Sequence, residues 1–489
     1  MQTDPTESDE QGQQDERADD AKWSGSGQLI AHSWRESDLF VPRRMVRPLQ
    51  NLMAIEASSA LAVLSATVLA LVVANSGLAH LYHEVWETAF RLQLGDRVLL
   101  DLSLHGVVND AFMAIFFLVV SMEIKRELVF GELRDPRAAM LPIVAAIGGM
   151  VVPAGIYVLF NAGTPFSHGW GIPMATDIAF AVALVSSLGK RVPAGARLFL
   201  LTLAIVDDLG AILVIAIFYA QGLSFGWLAV AAAAVAVTVL ARVRRVRAMS
   251  WYILLGVICW FALFQSGVHA TIAGVLFGLL TPAYAWLPPG RFPAMARRLV
   301  DDLDQRLTDG VTVDEQESND HTLRELRRLS LETQSPLHRV EARLSALVAF
   351  FIVPIFAFAN AGIAIPTTAF AKIIMEPVVL GIAIGLVVGK TVGVYGSAWL
   401  LIRLGWARMP ERTTQRHLFG VALCAGIGFT VAIFVATLAF TDPAVVETAK
   451  LGVMLGSFIA AVAGYVWLRA APSVDVAMEE RGEEATITL

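Results

Sequence analysis

Charge is scarce in this chain. Only 16% of its 489 residues are Asp, Glu, Lys or Arg, while 56% are hydrophobic and the mean hydropathy is +0.62. Soluble proteins of this length carry more charge, so the composition speaks against a soluble globular protein and for a chain that crosses a membrane repeatedly. Cysteine is nearly absent: Cys259 and Cys424 are the two, both inside apolar runs, and they imply no disulfide framework. No nucleotide-binding motif occurs, which leaves the proton gradient as the expected energy source for any transport. Residues 1–48 ("MQTDPTESDEQGQQDERADD…") lack an apolar core, so they read as a disordered acidic cytoplasmic tail and not as a signal peptide.

What is present is a series of apolar runs of about 20 residues, the length that spans about 30 Å of hydrocarbon as a helix. Twelve are read, at 57–79, 105–124, 138–160, 171–188, 198–220, 225–242, 251–266, 268–284, 344–365, 377–402, 417–439 and 446–468. They are continuously apolar, so the expected fold is an all-α polytopic membrane protein and not a barrel. Lys and Arg crowd the loops after even-numbered runs: "KRELVFGELRDPR", "GKRVPAGAR", "RVRRVR" and "RLGWARMPERTTQR". The loops after odd-numbered runs hold only Arg91, Arg97, Lys372 and Lys450. The positive-inside rule then places both termini in the cytoplasm. The chain divides into the tail 1–48, helices one to eight over 49–284, a cytoplasmic insertion at 285–343, helices nine to twelve over 344–470, and a cytoplasmic tail at 471–489. Within the insertion "HTLRELRRLSLETQ" reads as helical and "TDGVTVDEQESND" as partly disordered. Near 91–104, "RLQLGDRVLLDLSL" alternates around Gly95-Asp96 and reads as a small outer β-hairpin.

A few charges lie deep in the apolar runs. Asp207 and Asp208 sit side by side in "LAIVDDLGAI", at an insertion cost of about 5–7 kcal/mol. The fourteen Leu, Ile, Val and Phe residues of 198–218 return about 4–8 kcal/mol, so the helix inserts only if the carboxylates face protein or water. Polar glue between helices is the bland alternative, but Ser, Thr or Asn serve that end at lower cost. Asp177 and Lys390 lie at similar depth; Lys390 is too far from either end of its run to snorkel. Asp110 lies near a helix end, where a helix cap is an equal reading. Neighbouring positions on a helix point about 100° apart. One carboxylate of the pair therefore faces an open cation site while the other pairs with Lys390. Gly171 and Pro173 in the fourth run, and Gly426 and Gly428 in the eleventh, mark breaks in two corresponding three-helix sets, a pattern that points to a mid-membrane site.

"ATDIAFA" (175–181), "LAIVDDLGAI" (203–212), "SGVHATIAGV" (266–275), "FAFANAG" (356–362), "GLVVGKTVG" (385–393) and "CAGIGFTVAIF" (424–434) together resemble the bacterial NhaA-type sodium/proton antiporters, in order, from about residue 50 to 470. That resemblance implies twelve transmembrane helices with inverted three-helix repeats and two broken, crossing helices, in the bacterial inner membrane. It implies electrogenic, pH-regulated exchange of cytoplasmic Na+ or Li+ for external H+, with no cofactor and no nucleic acid, and a homodimer joined through the outer hairpin. Carried over residue by residue, Asp208 is the main cation-binding carboxylate, Asp207 its neighbour paired with Lys390, Thr176 a cation ligand, and Asp177 a compensator of helix-end charge. Glu123, Arg126 and Glu127 match a pH-sensing cluster, continued by Arg339 and Glu341. Here the chain departs from the pattern: His338 stands where Lys is usual, and Ala342 and Ser345 where the best-known pattern has His, so the working pH window does not carry over.

The residues support exchange without the name. Sodium needs an ionised carboxylate and other oxygen ligands, so it competes with a proton for one buried acid. Two readings of other classes fare worse. An intramembrane aspartyl protease needs a Gly-x-Gly-Asp setting that none of the four Asp residues has, and no use for Lys390. A channel would repeat its filter around a symmetric pore, and an organic-solute carrier would want a roomier, aromatic-lined site.

Overall fold

The computed structural model describes residues 56–472, apart from 96, 221, 245, 247, 309–312 and 365–369. The tail read at 1–48 lies outside the described residues, and so does the tail at 471–489 apart from 471–472. Every apolar run forms helix. In chain order these are α1 (Glu56–Ala74), α2 (Ala79–Glu87), α3 (Leu104–Phe130), α4 (Pro136–Asn161), a 3-10 segment Ser167–Met174 followed by α5 (Ile178–Ser187), α6 (Ala194–Phe218), α7 (Phe225–Val243), α8 (Met249–Ser266) and α9 (Thr271–Leu280). The insertion contributes α10 (Phe292–Thr308) and α11 (Val313–Thr333). Then come α12 (Pro336–Asn360), α13 (Pro377–Arg403), α14 (Gln415–Ala425), α15 (Phe429–Ala439) and α16 (Pro443–Ala470).

Nine of the described helices are long and apolar enough to cross a membrane, counting Ser167–Ser187 as one. Two bent pairs raise this to 11: α1 with α2, bent by 113°, and α14 with α15, bent by 42°. The eighth run falls short of a span. Gly267 in a left-handed conformation ends α8, Pro282 follows closely on α9, and the helix between has 10 residues, or about 15 Å. The ninth helix begins at Pro336, with Ser335 as its N-cap, earlier than the apolar run at 344. The stretch read as partly disordered is helical from Val313 onward, and α10 and α11 pack on each other.

Residues 89–94 and 97–103 form the hairpin, strands β1 and β2, antiparallel with Phe90 opposite Leu102 and Arg91 opposite Asp101. Arg91 Nε bonds Asp101 Oδ1 at 3.0 Å across the strands. Gly95, with φ of +62°, turns the chain between them.

Small residues set the closest helix approaches, as expected where lipid gives no hydrophobic drive for association. Gly385, Gly389 and Gly393 recur every fourth residue on α13. A Cβ on Gly393 would overlap the Gly148 carbonyl of α4, and one on Gly389 would press on Pro153. A π-helical turn at Gly385–Gly389 immediately precedes Lys390. The helices form two groups: α4, α5, α6, α13, α14, α15 and α16 pack together, while α3 packs on α9 and α1 on α12, and the groups meet where α1 touches α5, α3 touches α6 and α12 touches α15.

Candidate functional site

The two breaks meet each other. After the 3-10 segment ends at Met174, residues 175–177 run extended before α5 begins. The second break spans residues 426–428, between α14 and α15. Asp177 N–H donates to Ile427 O at 2.6 Å, and Thr176 Oγ1 donates to Ala425 O at 2.8 Å. Helix interruption frees backbone groups inside an apolar bundle, and each break answers part of the other's need.

The helix ends are balanced by two buried charges. Asp177 is the N-cap of α5, accepting from Phe180 N at 3.1 Å. Its other oxygen accepts from Thr430 N and Thr430 Oγ1 in the first turn of α15. One carboxylate thus serves two helix N-termini, where partial positive charge collects. At the opposite pole, Lys390 Nζ donates to Met174 O, the carbonyl that ends the 3-10 segment.

Lys390 also reaches Asp207, with Nζ 2.6 Å from Oδ2 and both side chains fully buried. The Gly-lined approach of α13 to α4 is what brings its ammonium this deep. Asp208, one position on, is 2% exposed and forms no ion pair among the described residues. Its Oδ1 is buried and accepts no hydrogen bond, and neither does Asp207 Oδ1. Buried carboxylate oxygens without donors are costly unless a proton or cation takes the place. Thr176 lies beside Asp207. Its hydroxyl proton is committed to Ala425 O, so what it can offer a cation is lone pairs.

The charges of this centre nearly cancel. Asp207 is matched by Lys390, and Asp177 by two helix N-termini, which leaves Asp208 as the uncompensated group. A single monovalent charge, as H+ or as an alkali cation, completes it. Among the described residues no three His, Cys, Asp or Glu side chains converge, so the donors are carboxylate, hydroxyl and carbonyl oxygens, the set suited to a hard and weakly held ion.

The residues of the second cluster are only partly brought together. Arg126 of α3 pairs with Glu341 of α12, with Glu123 close by on α3. Glu127 instead accepts the N–H of Glu132 at 3.2 Å, and Arg339 donates to Leu331 O at 3.2 Å, toward the insertion. Ser345 Oγ donates to Glu341 O at 2.7 Å; His338 is exposed and donates its N–H to the Ser335 cap.

Two readings need correction. Asp110 caps nothing: Ser103 is the N-cap of α3, and Asp110 sits in a π-helical turn at Val108–Phe112, its carbonyl accepting from Trp260 Nε1 at 3.0 Å. Lys450 is no loop residue. The last helix starts at Pro443, so Lys450 lies two turns inside it and is buried at 8% exposure. The signal was available, since "DPAVVETAK" offers an Asp cap and a Pro at the first helical position.

The family profile described as Na+/H+ antiporter 1 matches residues 50–468. The chain is 46% identical over 426 residues to the Na(+)/H(+) antiporter NhaA of Oleidesulfovibrio alaskensis, covering 87% of this chain and 94% of that protein. It is 44% identical over 422 residues to the protein of that name from Rhodopirellula baltica, covering 86% and 93%. For the one from Janthinobacterium sp. it is 42% identical over 426 residues, covering 87% and 93%. With a buried carboxylate–ammonium centre at paired helix breaks, and a match over most of its length, this multi-pass membrane protein belongs to the Na+/H+ antiporter 1 family, whose members are transporters and not enzymes.

Proposed function

We propose that the protein exports cytoplasmic Na+ or Li+ in exchange for external H+ across the bacterial inner membrane, with both termini cytoplasmic. The reading includes twelve spans, α9 completed by its flanking segments, and inverted repeats whose broken helices cross at the ion. One observation carries it: two adjacent buried carboxylates with different partners, Asp207 on Lys390 and Asp208 with an oxygen open beside the breaks.

Asp208 is the group for which sodium and protons compete. Sodium binds the ionised carboxylate, with Thr176 as a further oxygen ligand, and a proton displaces it. Exchange follows if the site alternates between the two sides only when occupied. Lys390 and Asp207 supply a second proton-linked step: when the pair parts, a proton moves with it, so more protons than sodium ions pass per cycle. The membrane potential then drives export, at about 2.3 kcal/mol per net charge per 100 mV. Arg126 and Glu341 tie α3 to α12, and with Glu123, Glu127 and Arg339 they form the group through which pH regulates exchange. The outer hairpin is the surface for a homodimer.

The test is exchange in everted vesicles. Added sodium should dissipate an imposed pH gradient, and Asp208→Asn should abolish the response. Normal exchange by Asp208→Asn would remove the cation site from Asp208.

A further inference from the structure

A second buried ammonium lies outside the ion site. Lys450 of α16 donates to Asn360 Oδ1, the last residue of α12, at 3.3 Å. Asn360 is 1% exposed, and no carboxylate pairs with Lys450 among the described residues. Glu447, one turn earlier on α16, is exposed.

The partners of Asn360 are fixed by what Lys450 can do. An ammonium only donates, so the atom it meets is the amide oxygen. The Asn360 amide nitrogen then faces Asn109 Oδ1 at 2.9 Å, which turns the Asn109 nitrogen toward His105 Nδ1 at 3.4 Å. That ring nitrogen accepts, so His105 Nε2 carries the hydrogen and donates to Asn360 Oδ1 at 3.0 Å. The three side chains close a ring that suits neutral His105, and Lys450 is the single charge attached to it.

This contact adds a polar tie between the two groups, which also pack on each other through α1 and α5, α3 and α6, and α12 and α15. Lys450 rides on α16, which packs on α13, α14 and α15, whereas Asn360 and His105 belong to α12 and α3. The ring sits at the start of α3, the end of α12 and the early turns of α16, three ends that share one side of the membrane. On the orientation of the proposed function, that side is the outer one.

We propose that Lys450 on Asn360 is the outer closure of the cation path: it clasps the two groups together, its buried ammonium bars sodium from that side, and outward opening requires it to leave Asn360. A buried charge with one amide partner is poorly compensated, so leaving for water offsets the loss of the bond. A contact with two arrangements of similar free energy is what an alternating interface requires. Lys450 is a positioning residue here, acting on access and not on the ion. The inference rests on the antiport reading.

The test uses the full chain in membranes, with Cys259 and Cys424 replaced and a reporter cysteine at Ala357, which is 1% exposed one turn below Asn360. A membrane-impermeant maleimide is applied from the outer side. Lys450→Met should speed labelling by about five-fold, Lys450→Arg should stay near the parent rate, and Asn360→Asp, which makes the contact an ion pair, should slow it. In everted vesicles Lys450→Met should raise the apparent KM for sodium more than it lowers the maximal rate, because fewer molecules hold the inward-facing state. Parent-rate labelling in both Lys450→Met and Asn360→Asp overturns the clasp. If Lys450→Met does not reach the membrane, Asn360→Asp decides: slower labelling supports the clasp and an unchanged rate overturns it. A parent protein that performs no sodium/proton exchange, yet shows the labelling differences, overturns the antiport reading and leaves the clasp standing.

Discussion

Asp177 accepts both the hydroxyl of Thr430, at 2.5 Å, and its backbone N–H, at 3.1 Å, while its other oxygen caps α5. The two breaks are therefore held by one side chain, and removing it strips both helix starts at once. Asp177→Ala should cost about 3 kcal/mol, combining a lost cap with lost bonds to a charged acceptor. Thr430→Val leaves the backbone bond and should cost about 1 kcal/mol. Thermal unfolding in detergent, compared with vesicle exchange, reads both. Equal midpoints for the two variants would contradict the double-cap role.

The close approach of α4 and α13 gives a second prediction. Gly393→Ala sets a methyl against the Gly148 carbonyl and should destabilise by about 1–3 kcal/mol, moving Lys390 away from Asp207. Gly396→Ala, three residues on, meets open space and should stay within about 0.5 kcal/mol of the parent. Thermal midpoints and sodium-driven exchange should both separate the two variants. Similar behaviour would mean that helix contact does not set the depth of Lys390.

Much of the centre is legible in the sequence because charge in an apolar run is a rare signal. Asp177, Asp207, Asp208 and Lys390 stand out for that reason, and the 100° helical step separates the two neighbouring acids without any coordinates. The Met174 and Ala425 carbonyls leave no trace, since every residue has one. Lys450 is counted with the loop by its charge alone, although the run at 446–468 contains it, and the Asp442 cap starts the helix earlier still, at Pro443. Asn360 and His105 look ordinary until α3, α12 and α16 bring them together. The 113° bend after α1 and the brevity of α9 likewise depend on chain geometry at 75–78 and 281–282, not on hydropathy.

The Arg126–Glu341 pair ties α3 to α12 at the end opposite the Lys450 clasp. If it regulates exchange and does not conduct the ion, Glu341→Gln should move the pH at which exchange reaches half its maximum while leaving most of the maximal rate. Arg126→Gln should move it as well, because either change dissolves the same pair. The readout is sodium-induced dissipation of the pH gradient across a pH series. A uniform fall in rate with an unmoved pH profile would assign the pair to structure alone.

Lys390 has two partners, Asp207 and the Met174 carbonyl, so its removal is predicted to be felt in both stability and coupling. Lys390→Met leaves Asp207 buried without a counter-charge, a loss of about 3–5 kcal/mol for a broken buried pair. Adding Asp207→Asn to Lys390→Met removes the stranded charge and should recover most of that stability. It cannot restore the proton-linked step, because no group is left to part from Lys390. The double variant should therefore fold, retain Asp208, and exchange sodium with weaker dependence on membrane potential than the parent. Thermal unfolding gives the first half; exchange in proteoliposomes under an imposed potassium diffusion potential gives the second. Full voltage dependence in a stable double variant would show that Lys390 and Asp207 hold the fold and carry no proton.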